Sequence, residues 1–401
     1  MLSFSIKSTL AGLSGLLVLL MALTGCTSSR TVPPTKQANN TTTQSTLVWD
    51  QQTRRKVSTG PGIRYSGYAR LVQLHDRSLL AVYEADGSIV AVRSQDMGNS
   101  WSAPVVIAAR QPGLNMAVPD VLELNDRSIL VCYNPRPNPI DPARRFGIRT
   151  KKSYDGGQIW RDERLLYEAG YRFDDGCWEP SARQLPSGEI LLFFANEGVY
   201  LTSNEQNISL LRSANNGLTW SQEPQIVSFR AGSRDGMPVP LLLNNGREWV
   251  VAIEDNGFRN FKPYIVRSTL TQNWQQPVLH NSPDRWPALA EPLPDSIYAG
   301  APYLRQLPTG ETLLSYQGTE GRVNDIKFAD MKVVIGDSSA RNFGSKSVPF
   351  IIPANKSALW NSLSILADST IVALTSTNAY SADGTVDVWM IKGRFIRKPT
   401  N

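Results

Sequence analysis

Histidine and cysteine are scarce here: the chain has two histidines, His75 and His280, three cysteines, and no Cys-x-x-Cys pair. That leaves little from which to build a zinc site or a dithiol redox centre. No stretch packs Lys and Arg densely with aromatics between them, and a net charge of +6 over 401 residues is modest. Nucleic acid is therefore not an expected partner. Past Leu23 there is no apolar run of bilayer-spanning length and no long amphipathic helical pattern.

The N-terminus reads as an address. Lys7 precedes an apolar run from Leu10 to Leu23, short for a spanning helix and suited to a secretory signal. It ends in Leu23-Thr24-Gly25-Cys26. This phrase resembles a bacterial lipobox, which implies cleavage before Cys26 and a diacylglyceryl group on its sulfur. A plain signal peptide with an incidental cysteine is the alternative. Residues 1–25 are thus read as a lipoprotein signal peptide and residues 26–58, rich in Thr, Ser, Gln and Asn, as the lipidated Cys and a flexible tether. The folded part is expected over 59–397. The location implied is the cell envelope, by a lipid anchor in a bacterial membrane, at the outer membrane or cell surface. Cys132 and Cys177 could pair in an exported protein or stay as two buried thiols.

What the chain does have is repetition. Ser94-Gln-Asp96-Met-Gly98-Asn-Ser-Trp101, Ser153-Tyr-Asp155-Gly-Gly157-Gln-Ile-Trp160 and Ser213-Ala-Asn215-Asn-Gly217-Leu-Thr-Trp220 share one pattern at near-constant spacing, and Ser268 to Trp274 is a decayed copy. Each reads as a turn in which Asp or Asn bonds its own backbone, Gly takes a positive φ, and Trp closes over an apolar face. Between these turns a two-strand phrase recurs six times, beginning at Gly67, Val118, Trp178, Met237, Ala301 and Leu359. Four strands per unit and six units predict an all-β fold, a six-bladed β-propeller of four-stranded antiparallel blades. A strand near Thr46-Leu47-Val48 is expected to complete the sixth blade and close the ring.

Strand direction then sorts the faces. The start of strand one and the end of strand two lie on one face of the disc, and the Trp turns on the other, where they brace the fold. Counted back from the turn residue of each blade, Arg70, Asp120, Glu179, Asp235 and Tyr303 all stand at odd offsets, so regular strands would point them the same way. Strand-two ends carry Glu84, Asn134, Asn196, Glu254 and Gln317, with Tyr316 beside the last. Glu179 and Glu254 would converge from neighbouring blades, and two carboxylates on one rim are what glycosidic cleavage requires. Trp178 and Pro180 bracket Glu179 with stiff apolar bulk that would raise its pKa or fix its rotamer. The plainer readings are that Glu254-Asp255-Asn256-Gly257 is only a turn, that Arg70 pairs with a carboxylate structurally, and that Tyr303 and Tyr316 are packing residues.

Over essentially all of 59–397 the chain resembles the sialidase superfamily of Asp-box (BNR-repeat) propellers. A sialidase carries Arg-Ile-Pro in its first blade, where this chain has Gly67-Tyr68-Ala69, and Arg64, Arg70 and Arg234 do not fall in the arginine pattern that grips a sialic acid carboxylate. The chain looks more like glycoside hydrolase family 93, the exo-acting α-1,5-L-arabinanases. Tyr68-Ala69-Arg70 is similar to that family's Tyr-Pro-Arg, with Ala69 departing from Pro, and Trp178-Glu179-Pro180 to its Trp-Glu-Pro. The resemblance implies Glu179 as nucleophile and Glu254 as acid/base of a retaining hydrolase, with no metal or organic cofactor. Arg70, Asp120, Trp178, Asp235, Tyr303 and Tyr316 are the expected sugar-binding residues. The expected partners are an oligosaccharide or polysaccharide and, through Cys26, a membrane; a monomer is expected. The alternatives are a sialidase-like hydrolase of another glycan, or a non-catalytic glycan-binding surface lipoprotein with an aromatic rim of Tyr65, Tyr68, Trp178 and Tyr303.

Overall fold

Short β-branched runs punctuated by Asp-Arg, Ser-Gly, Asn-Gly and Thr-Gly turns give strands of four to eleven residues, with a few shorter ones, in a computed structural model that describes residues 45–397. The signal segment, Cys26 and most of the tether lie outside the described residues. Blade one comprises Ser66–Gln73, Leu79–Ala85, Ser88–Ser94 and Val105–Ala108. Blade two is Leu114–Glu123, Ile129–Pro137, Gly147–Ser153 and Arg161–Glu168; blade three is Cys177–Gln184, Ile190–Asn196, Asn207–Ser213 and Gln225–Phe229. Blade four is Asp235–Leu242, Glu248–Asp255, Lys262–Thr269 and the short Arg285–Pro287; blade five is Ala299–Gln306, Thr312–Gly318, Asp330–Gly336 and Gly344–Ser347. Blade six takes Leu359–Ile365, Ile371–Thr377 and Asp387–Ile396 from the C-terminus and its outer strand, Thr46–Lys56, from the N-terminus.

That last pairing closes the ring as expected, with Thr46 opposite Ile396 and Trp49 opposite Gly393. It also corrects the tether boundary. Residues 46–56 are polar in composition yet form a sheet strand, because only Leu47 need face the core while Trp49 Nε1 donates to Ser347 Oγ at 3.0 Å. A second departure is Val278–Leu279, which adds to blade three as a short parallel fifth strand.

The first strand of each blade packs against the first strands of both neighbours, so six of them surround a central channel. The apolar clusters lie between blades: one joins blades two, three and four, another four, five and six. Burying apolar faces between sheets is what holds such a disc together.

The Trp turns brace the side away from the first-strand starts, and their hydrogen bonds say how. Ser153 Oγ accepts from the Gly157 amide at 2.9 Å and Asp155 Oδ1 from the Ile159 amide at 2.9 Å. Ser213 and Asn215 repeat this toward Gly217 and Thr219. The cation just before each Ser then reaches the next blade's turn: Arg93 donates to Gly156 O at 3.2 Å, Lys152 to Asn216 O at 2.8 Å, and Arg212 to Asn273 O at 2.6 Å. The repeated motif is a latch from blade to blade.

Candidate active site

Every first strand carries a β-bulge, and all six bulges fall at the same place. The register slips between Gly67 and Arg70, Ala117 and Asp120, Trp178 and Ser181, Gly236 and Val239, Gly300 and Tyr303, and Leu359 and Ser362. In each, one non-glycine residue takes a φ between +46° and +56°: Tyr68, Val118, Glu179, Met237, Ala301 and Trp360. Such a conformation costs an L-residue about 1–2 kcal/mol and persists only where the surroundings impose it. Five of the six pack together across the channel, Tyr68 and Trp360 stacking with centroids 4.2 Å apart. Glu179 is the one carboxylate in this ring.

The bulge also explains which sequence expectations meet. Side chains at the bulge and at two and four residues beyond it face the channel, whereas the residue two before it points between blades. Counting by offset therefore holds for Glu179, Arg70, Asp120 and Tyr303 and fails for Asp235. Asp235 is fully buried, paired to Arg285 at 2.6 Å and bonded by Ser228 Oγ at 2.8 Å, so it supports blade four rather than facing the channel. Tyr316 is likewise fully buried, its hydroxyl donating to Glu320 at 2.6 Å. Arg70, Asp120 and Tyr303 lie in the channel below the ring, at 6%, 2% and 2% exposure.

Above the ring, Trp178, Glu179 and Glu254 line a cavity of about 260 Å³ with Arg136, Phe173, Gln206, Arg234 and Phe261. Arg136 approaches Glu179 at 3.4 Å, bonds Asn134 Oδ1 at 2.6 Å, and lies 4.8 Å over the Trp178 ring. Burial raises the Glu179 carboxyl, while Arg136, Arg234 and Arg70 pull it back toward the charged form. Glu254 has no direct cation partner among the described residues. Its Oε2 accepts from the Ala301 amide of the next blade at 2.7 Å. Burial, and next among the raising influences the Glu179 charge, push it up to about 7. Two glycines frame this carboxylate: a Cβ on Gly300 would stand 2.6 Å from Glu254 Oε2, and one on Gly236 3.0 Å from Oε1.

The Glu254 bond is not unique. Gln317, at the same place in blade five, accepts from the Trp360 amide at 2.9 Å, and Glu84 stands beside the Val118 amide in blade one. A strand-two end that caps the next blade's bulge is thus a recurring joint, and Glu254 adds to it a carboxyl opening into the cavity.

Three participants carry no signal in the sequence pattern. Arg136 follows Asn134 in the extended second strand of blade two, and Arg234 stands one residue before its strand. Glu197 lies one residue past the end of strand two in blade three. It is 2% exposed, pairs with Arg234, and is pushed up to about 7, first by burial and also by Glu179. The Glu-Gly pair at 197–198 resembles any turn, which is why spacing alone does not find it. Arg136, Arg234 and Arg70 surround Glu179, and each is also bonded elsewhere, Arg136 to Asn134, Arg234 to Glu197 and Gln206, and Arg70 to Ala69 O. Cys132 and Cys177 are buried free thiols.

No family model matches the sequence, and no curated protein matches it. Solved structures do share its fold. A Dyadobacter fermentans protein of unknown function aligns with TM-score 0.67 at 14% identity, over 87% of this chain and 99% of that one. The family 93 α-L-arabinofuranosidase of Fusarium graminearum, solved with arabinobiose, aligns with TM-score 0.63 at 18% identity, over 85% and 97%. The NanB sialidase of Streptococcus pneumoniae aligns with TM-score 0.55 at 11% identity, over 85% and 70%. At these identities the likeness establishes the fold alone, a six-bladed propeller.

Proposed function

We propose that the protein is an exported, lipid-tethered, exo-acting glycoside hydrolase that cleaves arabinan-type oligosaccharides with retention of configuration. One observation carries this reading: Glu179 and Glu254 open into one cavity at the channel mouth in contrasting electrostatic settings. Glu179 has Arg136 in contact with Arg234 and Arg70 near by; Glu254 has a backbone amide, a neighbouring negative charge and, as its weakest influence, Arg234. Carboxyl pairs whose environments separate their protonation divide the roles of nucleophile and acid.

In the proposed reaction Glu179 attacks the anomeric carbon and the bond to the leaving oxygen breaks as Glu254 gives that oxygen its proton. The bound glycosyl ester is then released by water, which yields a proton back to Glu254. Phe173, 62% exposed and stacked 5.6 Å from Trp178, offers a flat face for a sugar ring at the cavity lip. The arabinobiose bound to the Fusarium structure supports the sugar class.

The same aromatic face suits a binding module without turnover, and one experiment separates the readings. Linear 1,5-arabinan and a sialyl-oligosaccharide are each incubated with wild type and with Glu179→Gln. Arabinobiose release that vanishes in the variant is expected. Sialic acid release, or binding of either glycan without product, would overturn the assignment.

A further inference from the structure

Below the bulge ring the channel widens toward the other face of the disc into a basin of about 850 Å³. Its lining mixes apolar residues such as Val72, Leu122, Leu241 and Ile365 with polar ones such as Gln73 and Asn244, and Arg183 and Arg305 open into it. A third guanidinium, Arg70, lies above them. The Tyr303 ring is held between Arg70, 4.7 Å from its centroid, and Arg305, 4.4 Å from it.

The negative charge near these three does not match them. Arg70 faces Glu179 from beneath the ring. Among the described residues, Asp120 is the one carboxylate close to Arg183 and Arg305. Its Oδ2 is 3.5 Å from Arg183 and also accepts from Ser181 Oγ at 2.7 Å and the Ala182 amide at 3.1 Å. Its Oδ1 is buried with no donor among the described residues, so a single charge stands against two guanidiniums. Arg183 Nη2 is buried and has no hydrogen-bond acceptor among the described residues. Arg305 has no carboxylate partner among the described residues; it donates to Leu304 O at 2.8 Å and Tyr303 Oη at 2.6 Å. Glu123, at the rim, is taken by His75. Burial first, and then the adjacent Arg183, push Arg305 down to about 10, with Tyr303 and Asp120 pulling only partly the other way. A buried donor without an acceptor is costly and a half-buried cation without a direct counter-charge is unfavourable, and a ligand that supplies acceptor oxygens and negative charge relieves both at once.

We propose that this basin is an oxyanion-binding site, separate from the carboxylate pair above the ring, in which Arg183 and Arg305 receive a phosphate, sulfate or carboxylate group. The proposal is independent of what the opposite face hydrolyses. Occupancy would tie the first strands of blades three and five together at the channel's far end.

Calorimetric titration of the full-length protein with inorganic phosphate, sulfate, acetate and chloride, at constant ionic strength, tests it. Saturable binding of at least one oxyanion is expected, with affinity reduced about tenfold or more in Arg305→Met and in Arg183→Gln. Melting temperature should rise with the bound anion in wild type and not in Arg305→Met, which separates site binding from general salting effects. Arg305→Lys keeps the charge and guards against a variant that fails to fold. Selenate-soaked wild-type crystals give a reading free of any variant: an anomalous peak between Arg183 and Arg305 is expected. No saturable oxyanion binding, equal binding by Arg305→Met, or an empty basin in selenate would each overturn the proposal.

Discussion

Replacing Glu254 by Gln separates two roles that the fold places on one side chain. The carboxylate caps the Ala301 amide of the next blade, and it is the proposed proton donor. Gln317 already performs the first role with an amide side chain, accepting from the Trp360 amide at 2.9 Å. Glu254→Gln should therefore keep the joint, whose net worth is about 1 kcal/mol with a neutral acceptor. It also removes a penalty. Raising the carboxyl from 4.5 to about 7 corresponds to about 3 kcal/mol against the charged form at pH above 7. The variant should be as stable as wild type near pH 5 and more stable at pH 8. Its catalysis should collapse, since a positioned general acid contributes about 10²–10⁴-fold. The assay is kcat/KM on linear arabino-oligosaccharides beside an aryl glycoside of the same sugar, whose leaving group needs no proton. A large loss on the first and a small loss on the second, with no loss of melting temperature at any pH, is expected. Full activity on arabino-oligosaccharides, or activity lost only in step with stability, would show that Glu254 is a structural joint and nothing more.

Glu179→Gln should abolish hydrolysis of both substrates while leaving the fold intact, checked by product chromatography and circular dichroism. Glu254 and Glu197 are both raised from 4.5 to about 7 in the folded protein, so the folded state holds more protons than the unfolded state between those values. Stability should be full near pH 4.5 and fall as pH rises toward 8, as read by urea titration, with a shallower fall in Glu197→Gln. The alkaline limb of the rate profile should have its midpoint near 7 and be absent in Glu254→Gln assayed on the aryl glycoside. In the Trp turns, Asp155→Asn should be nearly neutral, because Asn215 fills that place in blade three, while Asp155→Ala should cost about 1 kcal/mol by chemical denaturation. Lys152→Met, which unfastens the latch to Asn216, should cost a similar amount.

The propeller was legible because its signals are periodic: a Trp turn in three consecutive blades, decayed in a fourth, and a tight turn between the first two strands of all six. The position on the rim was legible for Glu179, at a first-strand start, and for Glu254, at the end of a second strand on the same face. The bulge itself was not. Glycine normally marks a positive φ, and here Tyr68, Val118, Glu179, Met237, Ala301 and Trp360 occupy it. Treating the strands as regular therefore carried Asp235 to the wrong side. Tyr316 failed for a different reason, because in a buried inner strand both faces are packed and alternation does not single out the channel. Arg136, Arg234 and Glu197 come from strand extensions and loops, where position in space follows from tertiary packing. The closing strand was legible at Thr46-Leu47-Val48, but its polar continuation to Lys56 was not, for want of apolar alternation, being held mostly by backbone pairing to Asp387–Ile396.

The central claim is that Glu179 and Glu254 act on one sugar between them. Its most direct test is to trap the glycosyl-enzyme with a slow fluorinated arabinosyl donor and locate the adduct by peptide mass spectrometry. The account predicts a single adduct on the peptide containing Glu179, accumulating further in Glu254→Gln and absent from Glu179→Gln. An adduct on another residue, or none in a preparation that turns over arabinan, would contradict it.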